Sequence, residues 1–205
     1  MNGNALIGLT GTYCSGKNYV ARFLEERGLP VLDVDKLGHE ALEAEKAAVA
    51  ARFGPDILGA GGAVDRRLLG DRVFGKPGEL SALEDIVHPA ANRLTEAWIG
   101  RQKGPCVINA ALLHRSGVFK RLHFIILVRA PFLTRLLRAR RRDRLPLGSL
   151  IRRFKSQREF ISQYLTQKAD IYTIDNPGYC GFCSSLYRRR LENRLDAILS
   201  RKGTP

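Results

Sequence analysis

The feature that most constrains this chain is the stretch "LIGLTGTYCSGKNYVARFL", residues 6–24. A short apolar run leads into Gly11, then four residues, then Gly16 and Lys17. Helical spacing follows, with Val20, Ala21, Phe23 and Leu24 on one face. A strand that turns through glycines into a helix can aim several backbone N–H groups at one point, and the helix start adds the positive end of its dipole. A lysine at the mouth of such a turn reaches terminal phosphates. Gly11, Thr12, Tyr13, Cys14, Ser15, Gly16, Lys17, Asn18 and Tyr19 are therefore the candidate phosphate-binding set.

Asn18 stands where such loops carry Ser or Thr, whose hydroxyl touches Mg²⁺. Its amide oxygen is a neutral donor placed one bond further from the backbone. Three roles are open to it: a direct metal ligand, a ligand through water, or a phosphate ligand with the metal anchored elsewhere. Because Mg²⁺ readily keeps its waters, contact through water is the expectation.

The rest of the chain alternates apolar runs with helical spacing. Strands are expected at 5–10, 30–35, 106–109, 124–128 and 171–175. Helices are expected at 16–27, 36–53, 66–75, 79–101 with a break at Pro89, through 131–168, and at 184–200. The glycine-rich stretch 54–64 reads as a loop. Strands separated by helices imply an α/β fold, a parallel sheet covered on both faces. In such sheets ligands sit at the carboxyl ends of the strands. Those ends carry Thr10, Asp33 with Asp35, Asn109, Arg129, and Asp175 with Asn176.

Two further clusters suit phosphate chemistry. "VLDVDK" sets Asp33 and Asp35 two apart. If both are extended they share a direction, so one can take a proton from a hydroxyl and the other can hold a metal-bound water. The alternative is a strand end with Asp35 as helix cap. "TRLLRARRRDRL" (134–145) repeats Arg135, Arg138 and Arg142 at helical spacing, a face of guanidiniums able to cover a triphosphate.

The formal charge of +14, mostly from Arg, favours anionic partners. Hydrophobic residues make up 44% of the chain, enough for a sizeable core. No signal peptide and no apolar run of membrane-spanning length is evident, so reduced thiols in the cytoplasm are expected. Cys180 and Cys183 form a single C-x-x-C, two ligands where structural zinc needs four.

Several segments in order resemble the dephospho-CoA kinase family over about residues 6–176: "GLTGTYCSGK", "GLPVLDVDKLGHE", "FGPDIL" with "DRRLLGDRVF", "LEDIVHP" and "ADIYTIDNPG". The resemblance implies a P-loop NTPase core of about five strands (1–35, 105–130, 169–205), a helical substrate-binding insertion (36–104) and an Arg-rich helical lid (131–168). It implies transfer of the ATP γ-phosphate to the ribose 3′-hydroxyl of dephospho-CoA, with Mg²⁺. By the same resemblance Asp35 is the base, Lys17 holds the ATP phosphates, and Arg138 with Arg142 closes the lid. Thr10 and Asp33 line the acceptor pocket, and Asp175, Asn176 and Gly178 lie against the adenine. Arg66, Arg67 and His88 help seat the CoA precursor, although a lone His beside a Pro is also a common structural feature. The chain departs from the pattern at Asn18 and at "ALLHR", where Ala111 and Arg115 replace Pro and Glu and leave His114 and Arg115 able to meet substrate phosphate.

The rivals are a kinase of another nucleoside or nucleotide, and a basic nucleic-acid binder on the same fold. A stacking platform for single strands is not evident, since aromatics are sparse around the Arg run. A membrane partner is not expected, and the sequence is silent on oligomeric state.

Overall fold

The structure is a computed structural model. It describes residues 5–155, 170–177 and 184–203, with backbone only at 184–185. Gly178, Cys180, Cys183 and the lid stretch 156–168 lie outside the described residues. The chain divides into two compact units, one formed by Met1–Leu32 with Gln102–Pro205 and the other by Asp33–Arg101.

The first unit is built on five strands: β1 (Leu6–Gly11), β2 (Val31–Asp33), β3 (Cys106–Asn109), β4 (Phe124–Arg129) and β5 (Asp170–Asp175). Their order across the sheet is β2-β3-β1-β4-β5. β1 pairs parallel with β3 and β4, and β4 pairs parallel with β5. Every residue of β1 is buried, which is why its sequence is a continuous apolar run rather than an alternation. The helix α1 (Lys17–Glu26) lays Val20, Phe23 and Leu24 on the sheet. The final helix, α8 (Ser184–Arg201), adds Leu191, Leu195 and Ile198 to the same core. The segment expected to be helical through 131–168 begins as two helices, α6 (Phe132–Asp143) and α7 (Leu147–Lys155). The break has a local cause: Arg144 adopts φ 52°, and Pro146 follows it.

The second unit is helical, with α2 (Val34–Ala44), α3 (Lys46–Phe53), α4 (Arg66–Val73) and α5 (Pro77–Gly100). Its own core joins Val49, Phe53, Ile57, Leu69 and Val73. The expected single helix 36–53 is two, parted at Glu45. The loop 54–64 holds a 3₁₀ turn at Pro55–Ile57 and an antiparallel bridge between Leu58 and Val64. The break expected at Pro89 is absent, and α5 runs through it. A proline removes one N–H from the helical ladder, and burial of Ala90, Thr95 and Ile99 beyond it outweighs that loss. No helix among the described residues is long and apolar enough to cross a membrane.

Candidate active site

β1 delivers the glycine-rich loop to the carboxyl edge of the sheet, and the loop's conformation requires its sequence. Gly16 has φ 91°, and a side chain there would put Cβ 2.3 Å from Asn176 Nδ2. A Cβ on Gly11 would lie 2.4 Å from Ser15 Oγ and 2.7 Å from the Val128 carbonyl oxygen. Cys14 adopts φ 59° without being glycine. Ser15 N–H donates to the Thr12 carbonyl at 2.9 Å and closes the turn. α1 then starts with no side-chain cap, and the N–H groups of Tyr19 and Val20 turn back to the Gly16 carbonyl at 3.0 and 3.3 Å. Ser15 Oγ is buried and has no hydrogen-bond partner; it packs on the Gly11 side of the turn.

Lys17 donates from Nζ to Asn109 Oδ1 at 2.9 Å. Asn109, the buried last residue of β3, donates in turn from Nδ2 to Asn18 Oδ1 at 3.2 Å. Sequence reasoning placed Asn109 on the rim but gave it no role. Thr10 is fully buried, and its hydroxyl lies 3.4 Å from the Ala111 carbonyl.

The lid helix is fastened to the loop at several points. Arg138 Nη1 donates to the carbonyls of Ser15 at 2.9 Å and Cys14 at 3.3 Å, and Nη2 donates to Asn176 Oδ1 at 3.3 Å. Asn176 Nδ2 donates to the Ser15 carbonyl at 2.9 Å. The Thr134 hydroxyl donates to the Pro177 carbonyl at 2.7 Å, tying the root of α6 to the end of β5. Tyr13 leaves the loop to stack edge-on against Phe154 of α7, with centroids 5.2 Å apart. Its hydroxyl donates to Asp143. Burial and the Asp143 carboxylate raise the Tyr13 phenol above its ordinary pKa.

The three spaced arginines do converge on this side, each with its own contact. Arg135 lies over the Phe154 ring, 5.0 Å from its centroid, and burial lowers its pKa. Arg142 lies 5.1 Å over the Tyr13 ring and donates from Nε to Asp143 Oδ1 at 2.7 Å. Arg153 reaches Asp143 Oδ2 at 3.3 Å. The Arg142 hydrogen bond holds the Asp143 carboxyl below the usual carboxylate range. Asp143 is thus the hub of the lid, a residue the sequence reading passed over. Its signal was being the one acid within "RARRRDR".

Asp175 ends β5 exposed, with its carboxylate 3.9 Å from Arg129. A cavity of about 360 Å³ opens beside it, bounded by Asp175, Asn176 and Pro177, Tyr19 of α1, and Tyr187 and Arg194 of α8. Tyr19 packs edge-on against Phe23.

In the helical unit the acid pair takes a different arrangement from the two expected. Asp33, not Asp35, caps α2: its Oδ1 accepts from the N–H of Asp35 at 3.1 Å and of Lys36 at 3.3 Å. Asp35 is therefore an exposed first-turn helical residue rather than an extended one. The cause is that an Asp at the strand end satisfies two orphan N–H groups at once. Arg66 lies 3.1 Å from the ring nitrogens of His39, the backbone of Arg67 is capped by Asp65, and His88 is exposed on α5. Within the sheet unit, His114 and Arg115 sit in a 3₁₀ turn, where burial and the neighbouring guanidinium lower the imidazole pKa.

Comparisons with known proteins point one way. The family model described as dephospho-CoA kinase matches residues 5–179. A dephospho-CoA kinase of Treponema pallidum is 32% identical over 209 residues, covering 97% of this chain and 95% of the relative. Among solved structures, a Thermus thermophilus protein is 34% identical with a TM-score of 0.78, covering 97% of both chains. A shikimate kinase of Bacteroides thetaiotaomicron shares the fold alone, at 14% identity and a TM-score of 0.51, with 96% and 98% covered.

Proposed function

This chain belongs to the dephospho-CoA kinase family, and from that premise we propose that it moves the γ-phosphate of ATP onto the ribose 3′-hydroxyl of dephospho-CoA. The observation that carries the reading is the glycine turn, with Gly16 at φ 91°, that ends at Lys17, whose Nζ is held by Asn109 Oδ1 at 2.9 Å.

The division of labour follows the chemistry of each group. Gly11 to Gly16 turn N–H groups onto the ATP phosphates, and Lys17 supplies the positive charge that must follow the transferred phosphoryl group. Arg138 fixes the loop through its carbonyls and adds charge on the lid side. Arg142 adds more when its pairing with Asp143 opens. Asp175, Asn176 and Tyr19 flank the adenine, because they border a cavity of about 360 Å³ at the end of β5. Asp35 takes the proton from the 3′-hydroxyl as its oxygen attacks phosphorus. Thr10 and Asp33 line the acceptor pocket, and Arg66, Arg67 and His88 seat the anionic arm of the precursor. The sheet strands with α1 and α8 form the nucleotide core, the helical unit the acceptor-binding insertion, and α6 with α7 the lid. Mg²⁺ accompanying ATP would supply charge neutralisation on the phosphates. The reaction belongs in the cytoplasm, where ATP is abundant.

The test is ATP-dependent 3′-phosphorylation of dephospho-CoA by the purified chain, read as CoA by mass. Transfer to another acceptor in a nucleoside and nucleotide panel, or no transfer combined with tight, salt-sensitive RNA binding, would replace this reading.

A further inference from the structure

Metal-holding phosphate loops pair a hydroxyl after the lysine with a carboxylate from a neighbouring strand. This chain has an amide at the first place, and the strand residue that meets it is also an amide. Asn109 ends β3 beside β1, in register with Leu9, and is 2% exposed. It takes Lys17 Nζ on its oxygen at 2.9 Å and gives its NH₂ to Asn18 Oδ1 at 3.2 Å.

Lys17 sets the direction of this relay. An ammonium has donors and no acceptor, so it takes the oxygen end of Asn109. The NH₂ end is left for Asn18, whose oxygen must then accept. Asn18 is exposed, and the group it has left to offer is an NH₂ with two donors. Donors suit phosphate oxygens and repel a cation. Asn18 Oδ1 keeps a second lone pair, but it is neutral and already holds the Asn109 amide of the lysine relay. Neither amide carries the negative charge that Mg²⁺ draws on when it gives up water. These residues do not fit a resident Mg²⁺.

We propose that Asn18 is a phosphate ligand and not a metal ligand, positioned by the Lys17–Asn109 relay, and that the loop grips the nucleotide polyphosphate without a metal bridge to the protein. Asn109 is the positioning residue. The inference rests on the kinase reading and is tested by binding, without turnover.

Isothermal titration of the whole chain with a non-hydrolysable ATP analogue, in EDTA and in Mg²⁺, gives the two Kd values. The wild type should bind both forms within about fivefold of each other. Asn18→Ala should weaken both by a similar factor, roughly five- to tenfold, as loss of a hydrogen bond to a charged group requires. The double change Asn18→Ser with Asn109→Asp should create a preference for the Mg²⁺ form of about tenfold or more. Its thermal melt shows whether it is folded, and the wild-type ratio decides the matter without it. A wild-type preference for the metal form larger than about fivefold overturns the proposal. An analogue that binds in neither condition overturns the kinase reading itself, a distinct result.

Discussion

Asn176 Nδ2 donates to the Ser15 carbonyl at 2.9 Å, a bond between the end of β5 and the middle of the phosphate loop. Asn176 Oδ1 also accepts from Arg138 at 3.3 Å. One buried amide therefore joins the loop, the lid helix and the last strand.

Asn176→Ala removes both bonds and leaves the Ser15 carbonyl to Arg138 alone. The stability cost is about 1–3 kcal/mol, visible as a lower melting temperature. The Kd for ATP should rise about tenfold, because the loop must then be ordered by the ligand. A variant with wild-type ATP affinity would show that the loop holds its shape without this bond.

Gly16→Ala addresses the same contact from the other side. The new Cβ would sit 2.3 Å from Asn176 Nδ2 and 3.4 Å from Arg138 Nη1. It would also force a side chain into φ 91°, a left-handed conformation costing roughly 1–2 kcal/mol on its own. The sheet does not depend on this residue, so far-UV circular dichroism should be unchanged while ATP binding falls beyond detection. Retained binding would mean that the loop has another workable conformation.

The parts of this site that were legible in the sequence are the local ones. Strand, loop and α1 lie within residues 6–26, where apolar spacing and glycine placement speak directly. The strand ends were legible because polar residues halt apolar runs there. The Lys17–Asn109 bond spans 92 residues and the Tyr13–Asp143 bond spans 130. No local pattern encodes which strand end meets which lysine. At the acid pair the competition was local but finely balanced: either Asp could have capped α2, and the helix began one residue past Asp33. At Pro89 the general rule for proline lost to the packing of α5 in its own unit.

Lys17→Ala and Asp35→Asn should both abolish most transfer, for different reasons. Lys17→Ala removes the charge that follows the phosphoryl group, a loss of roughly 100-fold or more in kcat. It also frees Asn109, so ATP affinity falls. Asp35→Asn keeps size and hydrogen bonding but cannot accept a proton, a loss of roughly 100- to 10,000-fold in kcat with ATP affinity unchanged. Steady-state kinetics paired with ATP titration separates the two. Asp35→Asn turnover near the wild-type value would remove Asp35 from the chemistry.

Asp143 gives the lid a defined pH response. Its carboxyl is held below the usual range, chiefly by Arg142 and with help from Tyr13. A group whose folded pKa is depressed stabilises the fold above its unfolded pKa, about 3.9, and loses that contribution as pH falls through the folded value. Asp143 is therefore ionised at neutral pH, and its charge is lost to the joint with Tyr13, Arg142 and Arg153 by protonation only in acid. Asp143→Asn should lower stability by about 1–2 kcal/mol at pH 7. The gap in melting temperature between wild type and variant should stay level from about pH 5 to about pH 8 and close below about pH 4. A gap that instead changes between about pH 6 and about pH 8 would place the titration on an imidazole rather than on this carboxylate.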